Sequence, residues 1–441
     1  MDNRLGSPQI EDSQVHSSSG RSIYELASRL FPICRSLTGD GVRETLAIVG
    51  EHLPLKIHKI QTGTQLFDWQ APQEWLIRDA YIMDSAGRRV VDFAKHNLHV
   101  VNFSTPVRKK FTLNELKEHI HTLPDQPDLI PYRTCYHTEA WGFCMTHNAL
   151  MQMKELTYEV VIDAERRDGS LVFGEFIHQG ETEETFLLST HLCHPSLAND
   201  NCSGIALLTR LGEALKSRKT RFTYRLLFGP ATFGALAWLK QNEENLGLVK
   251  HGIVLSCVGD GGGPNYKRSR RGNSEIDRIM TQVLEGSGLP EAKLHDFWPY
   301  GYDERQFCSP GFNLPVGLFQ RSLYGEFPEY HTSADNLDFI KPEYLEQSYN
   351  LIIQAIEIAE RNWTPINLSP KGEPQLGRRG LYGNTGGDRN AAKNAMTMLW
   401  VLNLADGDHS LLDMAERAGL PFAKLADAAE RLRDAGLLTA L

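Results

Sequence analysis

The 441-residue sequence lacks the features that mark several large classes of protein. It contains no apolar run of about 18 residues, and this argues against a membrane-spanning helix. It has no excess of basic residues, since 46 Lys and Arg stand against 55 Asp and Glu, which disfavours a protein that mainly coats nucleic acid. With 41% hydrophobic and 23% charged residues, the composition is that of a folded globular protein, so wholesale disorder is excluded.

Cysteine is also scarce, and its pattern does not suggest a disulfide framework. The seven cysteines are odd in number and scattered, and Cys257 lies in the apolar stretch IVLSCVG, as is typical of reduced thiols. The first twenty residues, MDNRLGSPQIEDSQVHSSSG, carry acids and no apolar stretch, so they resemble neither a signal peptide nor a transit peptide. We therefore expect a cytoplasmic protein whose first twenty residues form a flexible tail.

Hydrophobic periodicity predicts an α/β protein. Continuous apolar strands such as TFLLSTH and HGIVLSCVGD alternate with amphipathic helices, which indicates a sheet covered by helices on both faces. The strands LTYEVVIDAE and SLVFGEFIH are predicted to pair as a hairpin around RRDGS. The predicted units are a tail (1–20), a discontinuous α/β domain (21–65 and 156–365), an inserted β-rich domain (66–155), and a linker with a winged helix-turn-helix (366–441).

The last unit has the helix pattern of a DNA reader but not the charge of one. Three short helices with a turn at Gly419 run into a small apolar end, which is typical of a winged helix. From Asp408 to Leu441 there are six acids and four bases, which offers little phosphate neutralisation. We therefore expect this unit to dock on protein and not on DNA.

The stretch THLCHPSLANDNCSG holds the first candidate site. A buried strand ends at His191, a loop carries His194 and Asp200, and a helix follows. Ligands bind at the carboxyl ends of strands in open α/β sheets, and imidazole with carboxylate suits a divalent metal such as zinc. Asp200 as a helix N-cap is the alternative.

Further acids and imidazoles follow or precede later predicted strands. EFPEYHTSADN supplies His331 and Asp335, which could merely stabilise a loop, while HGIVLSCVGD ends at Asp260. GYDERQF adds Asp303 and Glu304. Since strand ends meet at one edge of a sheet, these groups together strengthen the prediction of a metal site.

The same segments, together with others along the chain, resemble those of a known family. HLCHPSLANDNCSG, YDERQF and YHTSADN resemble segments of the co-catalytic zinc aminopeptidases. LFPICRSLTGDGVRETL, LHVVNFSTPV, HTLPDQPDLIPYRT and YKRSRRG resemble, over nearly the whole chain, a bacterial aminopeptidase-like family that carries an inserted domain of unknown function and a C-terminal winged helix. Members are often labelled polysaccharide-biosynthesis proteins. The resemblance implies a zinc-aminopeptidase-like mixed sheet between helices.

The resemblance also implies roles for individual residues. His191 matches the first zinc ligand, Asp200 the bridging carboxylate, and His331 the histidine of the second zinc. The remaining acidic ligand falls near Cys257 to Asp260, and we assign Asp260 because a carboxylate keeps the ligand type. Cys257 is interpreted as a buried apolar residue. One zinc ion is expected, and a second is left open.

One departure from the aminopeptidase pattern bears directly on activity. Where zinc aminopeptidases carry a Gly-Glu-Glu pair, one Glu being the general base and the other a zinc ligand, this chain has Ala231 and Thr232. Another acid must replace the base if the chain is active. The candidates are Glu304, Glu329 and Glu139. We assign Glu304, with its neighbour Asp303, to catalysis.

A basic run is the last candidate feature. Arg268, Arg270 and Arg271 follow a Gly-rich turn, and such runs are usually solvated, but arginine also suits carboxylate or phosphate groups. We assign these arginines and Tyr330 to the binding of a substrate that has an acidic group.

The predicted function is metal-dependent hydrolysis of a small aminoacyl or short peptide-like conjugate; the alternative is a non-catalytic binding or regulatory protein. A homo-oligomer is left open.

Overall fold

The structure is a computed structural model that describes residues 11–381 and 389–440, with side chains for residues 19–381 and 395–440. The strands are β1 (Lys56–Gln61), β2 (Gln65–Leu66), β3 (Trp69–Gln70), β4 (Glu74–Met83), β5 (Arg89–Asp92), β6 (Val107–Thr112), β7 (Ile120–His121), β8 (Phe143–Cys144), β9 (Thr157–Arg167), β10 (Ser170–His178), β11 (Thr185–His191), β12 (Thr223–Gly229), β13 (Val249–Leu255), β14 (Asn265–Lys267), β15 (Lys293–His295), β16 (Val316–Gln320), β17 (Pro365–Asn367) and β18 (Leu438–Ala440).

The α-helices are α1 (Glu11–Leu30), α2 (Asp40–Gly50), α3 (Leu113–Lys117), α4 (His147–Gln152), α5 (Gly204–Lys216), α6 (Phe233–Gln241), α7 (Glu275–Gly286), α8 (Glu304–Phe307), α9 (Pro342–Arg361), α10 (Arg389–Leu404), α11 (Leu411–Ala418) and α12 (Phe422–Asp434). No helix of the described residues is long and apolar enough to cross a membrane.

The main sheet is mixed and runs in the order β1-β10-β12-β11-β13-β16-β14-β15. Its centre, β12, β11, β13 and β16, is parallel. Every residue of β11 is buried, because a parallel sheet covered on both faces needs apolar side chains on both sides of the strand. At Gly174 in β10 an added Cβ would lie 2.8 Å from Leu46, so this glycine lets α2 approach the sheet closely. The predicted α/β fold class is confirmed.

A second sheet, in the order β5-β4-β9-β6, is built mainly from the segment predicted as an insertion. Strand β9 pairs with β4 and β6 of this sheet, whereas the next strand, β10, pairs with β1 and β12 of the main sheet. The predicted hairpin between these two strands is therefore wrong. The short RRDGS connection joins two sheets, and alternating apolar residues cannot reveal which sheet a strand joins.

By the packing of its backbone the chain divides into two compact units, and both sheets named so far belong to the first. The first unit extends to Asp277 and includes Leu289–Asn350; the second contains Arg278–Gly288 and Leu351–Leu441. In the second, α10, α11 and α12 pack together, and β17 pairs with β18 in the arrangement of a winged helix. The predicted limits 66–155 and 366–441 stay predictions.

Two predicted segments fall partly outside the described residues. Residues 1–10 of the predicted tail and residues 382–388 of the predicted linker are among them. Within the described part, residues 11–20 form the first half of α1, so the prediction of a flexible tail is wrong there. A helix that is already fixed through buried Ile23, Leu26 and Leu30 extends at little further cost.

Candidate metal centre

The candidate centre begins where β11 ends. β11 lies between the parallel strands β12 and β13, so its last residue, His191, is delivered to the carboxyl edge of the sheet, where ligands bind in this class of fold. The chain then passes through a loop into the irregular turn Ala198–Ser203, which carries Asp200 and leads into α5. Both side chains are almost completely buried.

Three imidazoles converge on the Asp200 carboxylate. Oδ1 lies 2.9 Å from His191 Nε2 and 3.8 Å from His194 Nδ1, and Oδ2 lies 3.1 Å from His331 Nε2. Burial acts to raise the pKa of Asp200, but the three imidazoles overcome this effect and hold it well below its usual range. The structure thus brings His191, Asp200 and His331 together, as the sequence predicts.

His194 is a further member of this cluster, and the sequence predicts no role for it. Its Nδ1 has no hydrogen-bond partner among the described residues, although the side chain is only 13% exposed. Ligand atoms of His191, His194 and Asp200 all lie within 4.8 Å of one another. The signal was present in HLCH, where two histidines three residues apart follow a buried strand.

The donor set fits a zinc ion. Imidazole nitrogens and carboxylate oxygens are typical zinc ligands, and an unpartnered buried nitrogen beside a carboxylate is what a metal ligand looks like without its ion. Burial lowers the pKa of His194 to about 3, so its imidazole is neutral and its lone pair is free at neutral pH.

A second layer of hydrogen bonds holds the turn that carries Asp200. The carboxylate of Asp335 accepts the backbone N–H groups of Asn199 at 2.6 Å and Asp200 at 3.0 Å. Burial raises the pKa of Asp335 to about 8. Asn201 donates to Thr190 Oγ1 at 2.8 Å and to the His191 carbonyl at 3.1 Å, which ties the turn to the end of β11. Such outer contacts orient the metal ligands.

Asp260, which the sequence analysis assigned as a zinc ligand, lies in this outer layer and not in the cluster. Its Oδ1 accepts hydrogen bonds from Gly262 N and Ser322 Oγ, and its Oδ2 accepts from Asn199 Nδ2 and Ser322 N. Neutral donors therefore occupy both oxygens.

Cys257 is fully buried with its Sγ 3.2 Å from Tyr302 Oη, and burial raises its pKa well above the usual range.

The two adjacent acids assigned to catalysis have different surroundings. Glu304 is fully buried and its Oε1 lies 2.5 Å from the ammonium of Lys267. Asp303 is also buried and its Oδ1 has no hydrogen-bond partner, but among the described residues no basic side chain forms an ion pair with it. Burial raises the pKa of Asp303 to about 7, against the opposing influence of His191. The structure thus directs Glu304 to a lysine and leaves Asp303 as the acid whose charged form His191 of the cluster favours.

Asp303 also lies beside the position of the missing Glu-Glu pair. The Thr232 side chain acts to lower the pKa of Asp303, against the larger effect of burial. Thr232 stands where the aminopeptidase pattern has a glutamate, so a carboxylate from another loop reaches the same place. The other two candidates are less well placed: Glu139 is exposed and Glu329 is partly exposed, and neither side chain has a described contact with the cluster.

The predicted substrate-binding residues are only partly brought to the cluster. Tyr330 stacks on His331 with ring centroids 3.9 Å apart. Arg268 instead pairs with Asp296 at 3.0 Å, and Arg270 and Arg271 bind the side chain and carbonyl of Asn313. No contact between these three guanidinium groups and the histidine cluster is found among the described residues. They follow β14, an antiparallel neighbour of β16, and the sequence alone does not reveal that direction.

The fold and the site together define an aminopeptidase-like protein with a C-terminal winged helix. Residues 24–362 match the family model described as a domain of unknown function, DUF4910, and residues 363–440 match a winged helix-turn-helix model. The family match spans more than half of the chain. The protein therefore belongs to the DUF4910 family, as the sequence resemblance indicates.

Relatives agree with this assignment. The chain is 49% identical over 425 residues, 96% of this chain and 98% of the relative, to a Clostridium acetobutylicum protein provisionally named polysaccharide biosynthesis protein with aminopeptidase-like domain. A crystal structure from Clostridium acetobutylicum, provisionally called a peptidase, has a TM-score of 0.93 at 47% identity, covering 99% of this chain and 100% of that one.

More distant structures show the fold alone. The zinc aminopeptidase BSAP from Bacillus subtilis superposes with a TM-score of 0.58 at 14% identity, covering 78% of this chain and 95% of that one. A peptidase M28 precursor from Shewanella amazonensis gives a TM-score of 0.54 at 16% identity, with 78% and 95% coverage. The main unit thus has the zinc-aminopeptidase fold.

Proposed function

We propose that this protein is a zinc-dependent amide or peptide hydrolase that acts on a small aminoacyl conjugate. The observation that carries the proposal is the convergence of three imidazoles on the buried Asp200 carboxylate, with His194 Nδ1 unpartnered. The fold shared with zinc aminopeptidases supports the same chemistry. The relative's name refers to polysaccharide biosynthesis, which supports a conjugate from sugar metabolism over a general peptide.

In this proposal His191, Asp200 and His331 hold the ion, and His194 joins them. When bound, zinc supplies Lewis-acid polarisation of a carbonyl and makes water more acidic. Asp335 and Asn201 keep the ligand-bearing turn in place through the hydrogen bonds described above.

Asp303 is the residue we propose as general base. Its unpartnered Oδ1 is available to accept a proton from the attacking water and return it to the leaving amine. The neighbouring Thr232 side chain favours the charged form of this carboxylate. Glu304, although assigned by the sequence analysis, is occupied by Lys267, so its role in this proposal is to balance that charge.

The alternative, a non-catalytic binding or regulatory protein on the same scaffold, is favoured by one specific observation. Ala231 and Thr232 stand where the aminopeptidase pattern has its two glutamates. In this alternative the cluster binds an ion or a ligand, but no hydrolysis follows.

The experiment combines metal analysis with activity measurement. The wild-type protein is reconstituted with zinc, its metal content is measured, and it is assayed on a panel of aminoacyl amides and aminoacylated sugars. We expect about one zinc per chain, and His191→Ala should lose it. Asp303→Asn should retain zinc and lower kcat by about 100-fold or more. Glu329→Gln, at a partly exposed candidate acid whose side chain has no described contact with the cluster, is the control and should retain zinc and most of the activity.

The outcomes separate the two functions. Zinc binding with no hydrolysis across the panel supports the binding protein, and a wild-type protein that takes up no zinc contradicts the proposal altogether. Full activity of Asp303→Asn contradicts the assignment of the base only.

The C-terminal winged helix is proposed to dock on protein, not on DNA. Within the second unit Arg278 pairs with Asp413 and Glu416, and Arg361 pairs with Asp427 and Glu430. Acidic side chains on α11 and α12 therefore serve protein contacts, and the same acids would repel phosphate groups.

A further inference from the structure

A segment from outside the main sheet, Ile130–Tyr136, lies directly against the loop that carries His331. Tyr132 N donates a hydrogen bond to the His331 carbonyl at 2.8 Å, and Ser333 N donates to the Ile130 carbonyl at 2.9 Å. Pro131 and Thr332 form an antiparallel bridge between these two bonds. The Ile130 N–H is bound by Ser333 Oγ at 3.0 Å. The two segments are thus joined as a short two-stranded ladder.

The side chain of Tyr132 continues this contact into the cluster. Its ring meets the imidazole of His194 edge-on at 5.1 Å between centroids and that of His331 at 5.0 Å. The hydroxyl group does not point at an imidazole in these contacts; it lies 2.8 Å from the Tyr136 hydroxyl. The ring, and not the hydroxyl, therefore limits how the two imidazoles can turn.

His331 is the residue that depends most on this support. Its φ of 55° places it in the left-handed region, which is unfavourable for a non-glycine residue unless the surroundings hold it there. Its side chain is 33% exposed, the highest value in the cluster. Tyr330 stacks on one side of the ring and Tyr132 contacts it edge-on, so two tyrosines and Asp200 determine its orientation.

We propose that Tyr132 is a positioning residue of the metal centre: its ring holds the imidazoles of His331 and His194 in the orientation that binds the ion. The segment around Tyr132 is then a functional part of the metal site. This inference rests on the proposed function in one respect, namely that the ion is the zinc assigned above.

The test measures metal affinity without any substrate. Zinc affinity is determined by competition with a chromogenic chelator for the wild-type protein, Tyr132→Phe, Tyr132→Leu and Tyr136→Ala. Tyr132→Phe keeps the ring and should bind zinc within about 3-fold of wild type. Tyr132→Leu keeps bulk without a ring and should bind about 10- to 100-fold more weakly, as is usual when a group that orients a metal ligand is lost.

Tyr136→Ala is the matched control. It removes a neighbouring tyrosine that packs on Phe103 and has no described ring contact with the cluster, so zinc affinity should stay within about 3-fold of wild type. The visible spectrum of the cobalt-substituted proteins adds a second readout, because it reports the geometry of the ligands. We expect a changed spectrum only for Tyr132→Leu.

The results distinguish this inference from the proposed function. If the wild-type protein binds zinc and Tyr132→Leu binds it equally well with an unchanged cobalt spectrum, the positioning role is overturned and the proposed function stands. If the Tyr136→Ala control weakens zinc binding as much as Tyr132→Leu, general loosening of the segment explains the loss and the role of Tyr132 is overturned. If the wild-type protein binds no zinc, both fail.

Discussion

Two buried carboxylates of the first unit differ in how their charge is balanced. Glu304 lies 2.5 Å from the ammonium of Lys267, which also donates to the carbonyls of Trp298 and Tyr300 at 3.2 and 2.9 Å. Asp200 is equally buried, but its carboxylate contacts imidazoles, and His194 is neutral because burial lowers its pKa to about 3. The first carboxylate has a cation supplied by the chain, whereas the second has only imidazoles around it, one of which, His194, leaves its Nδ1 without a partner.

This difference distinguishes a structural ion pair from a candidate binding site. A buried carboxylate stays charged only where a cation or several donors compensate for lost hydration. Lys267 provides that cation within the fold, at 2.5 Å from Glu304 Oε1, although burial still raises the pKa of Glu304. The Asp200 cluster has donors arranged around a charge but leaves His194 Nδ1 unpartnered, and a divalent cation would satisfy both.

The largest effect is expected from breaking the balanced pair. Lys267→Met leaves Glu304 buried without its cation, and we expect the free energy of unfolding to fall by about 3–5 kcal/mol. Urea denaturation of the zinc-free protein measures it. The double variant Lys267→Met/Glu304→Gln should recover at least half of the loss, because it removes the unpaired charge. A single variant that loses less than about 1 kcal/mol would contradict the assignment of a structural pair.

A smaller effect is expected from a histidine that resembles His194 but lies outside the cluster. His251 is buried between Phe186 and Phe222, and burial lowers its pKa to about 3. The unfolded chain takes up a proton near pH 6.5 and the folded chain does not, so this histidine's share of stability is present above that pH and is lost as the pH falls. Between pH 7.5 and pH 5 the loss is about 2 kcal/mol.

His251→Phe should therefore reduce the fall in unfolding free energy between these two pH values by about 2 kcal/mol. Denaturation curves at both pH values, with and without zinc, measure it. This reduction should be the same with and without zinc, because we expect no zinc to bind at His251. The carboxylate nearest to it in the described ion pairs is that of Glu275, which lies 3.9 Å away and is 40% exposed, so it offers no buried charge for an ion. A reduction that vanishes when zinc is added would break the distinction between the two histidines.

Local patterns in the sequence predict some of the candidate residues that the structure brings together. His191 at the end of an apolar strand and the His331 and Asp200 motifs could be found because strand ends converge at one edge of the sheet. The pairing of β9 and β10 in different sheets could not be found, since period-two alternation does not identify a partner strand.

The choice of Asp303 as the proposed base and the outer layer around Asp200 needed the structure for a different reason. Asp303 and Glu304 are adjacent acids, and the sequence cannot tell which one Lys267 neutralises. Asp260 matched a ligand by residue type, yet Ser322 and Asn199, which are distant in sequence, occupy its oxygens. Tertiary contacts decide which donors surround a carboxylate. They therefore determine whether the carboxylate is charged and whether its oxygens are free to bind a metal or a proton.

The smallest effect is expected from the basic run, whose arginines have no ion pair with a buried carboxylate among the described residues. Arg270 and Arg271 are exposed and bind Asn313, so Arg270→Ala should change the free energy of unfolding by no more than about 0.5 kcal/mol and leave zinc affinity unchanged. If these arginines are simply solvated, KM for acidic and neutral aminoacyl substrates should be unaffected as well. A rise in KM confined to acidic substrates would instead show that these exposed arginines bind the acidic group of the substrate, as the sequence predicts.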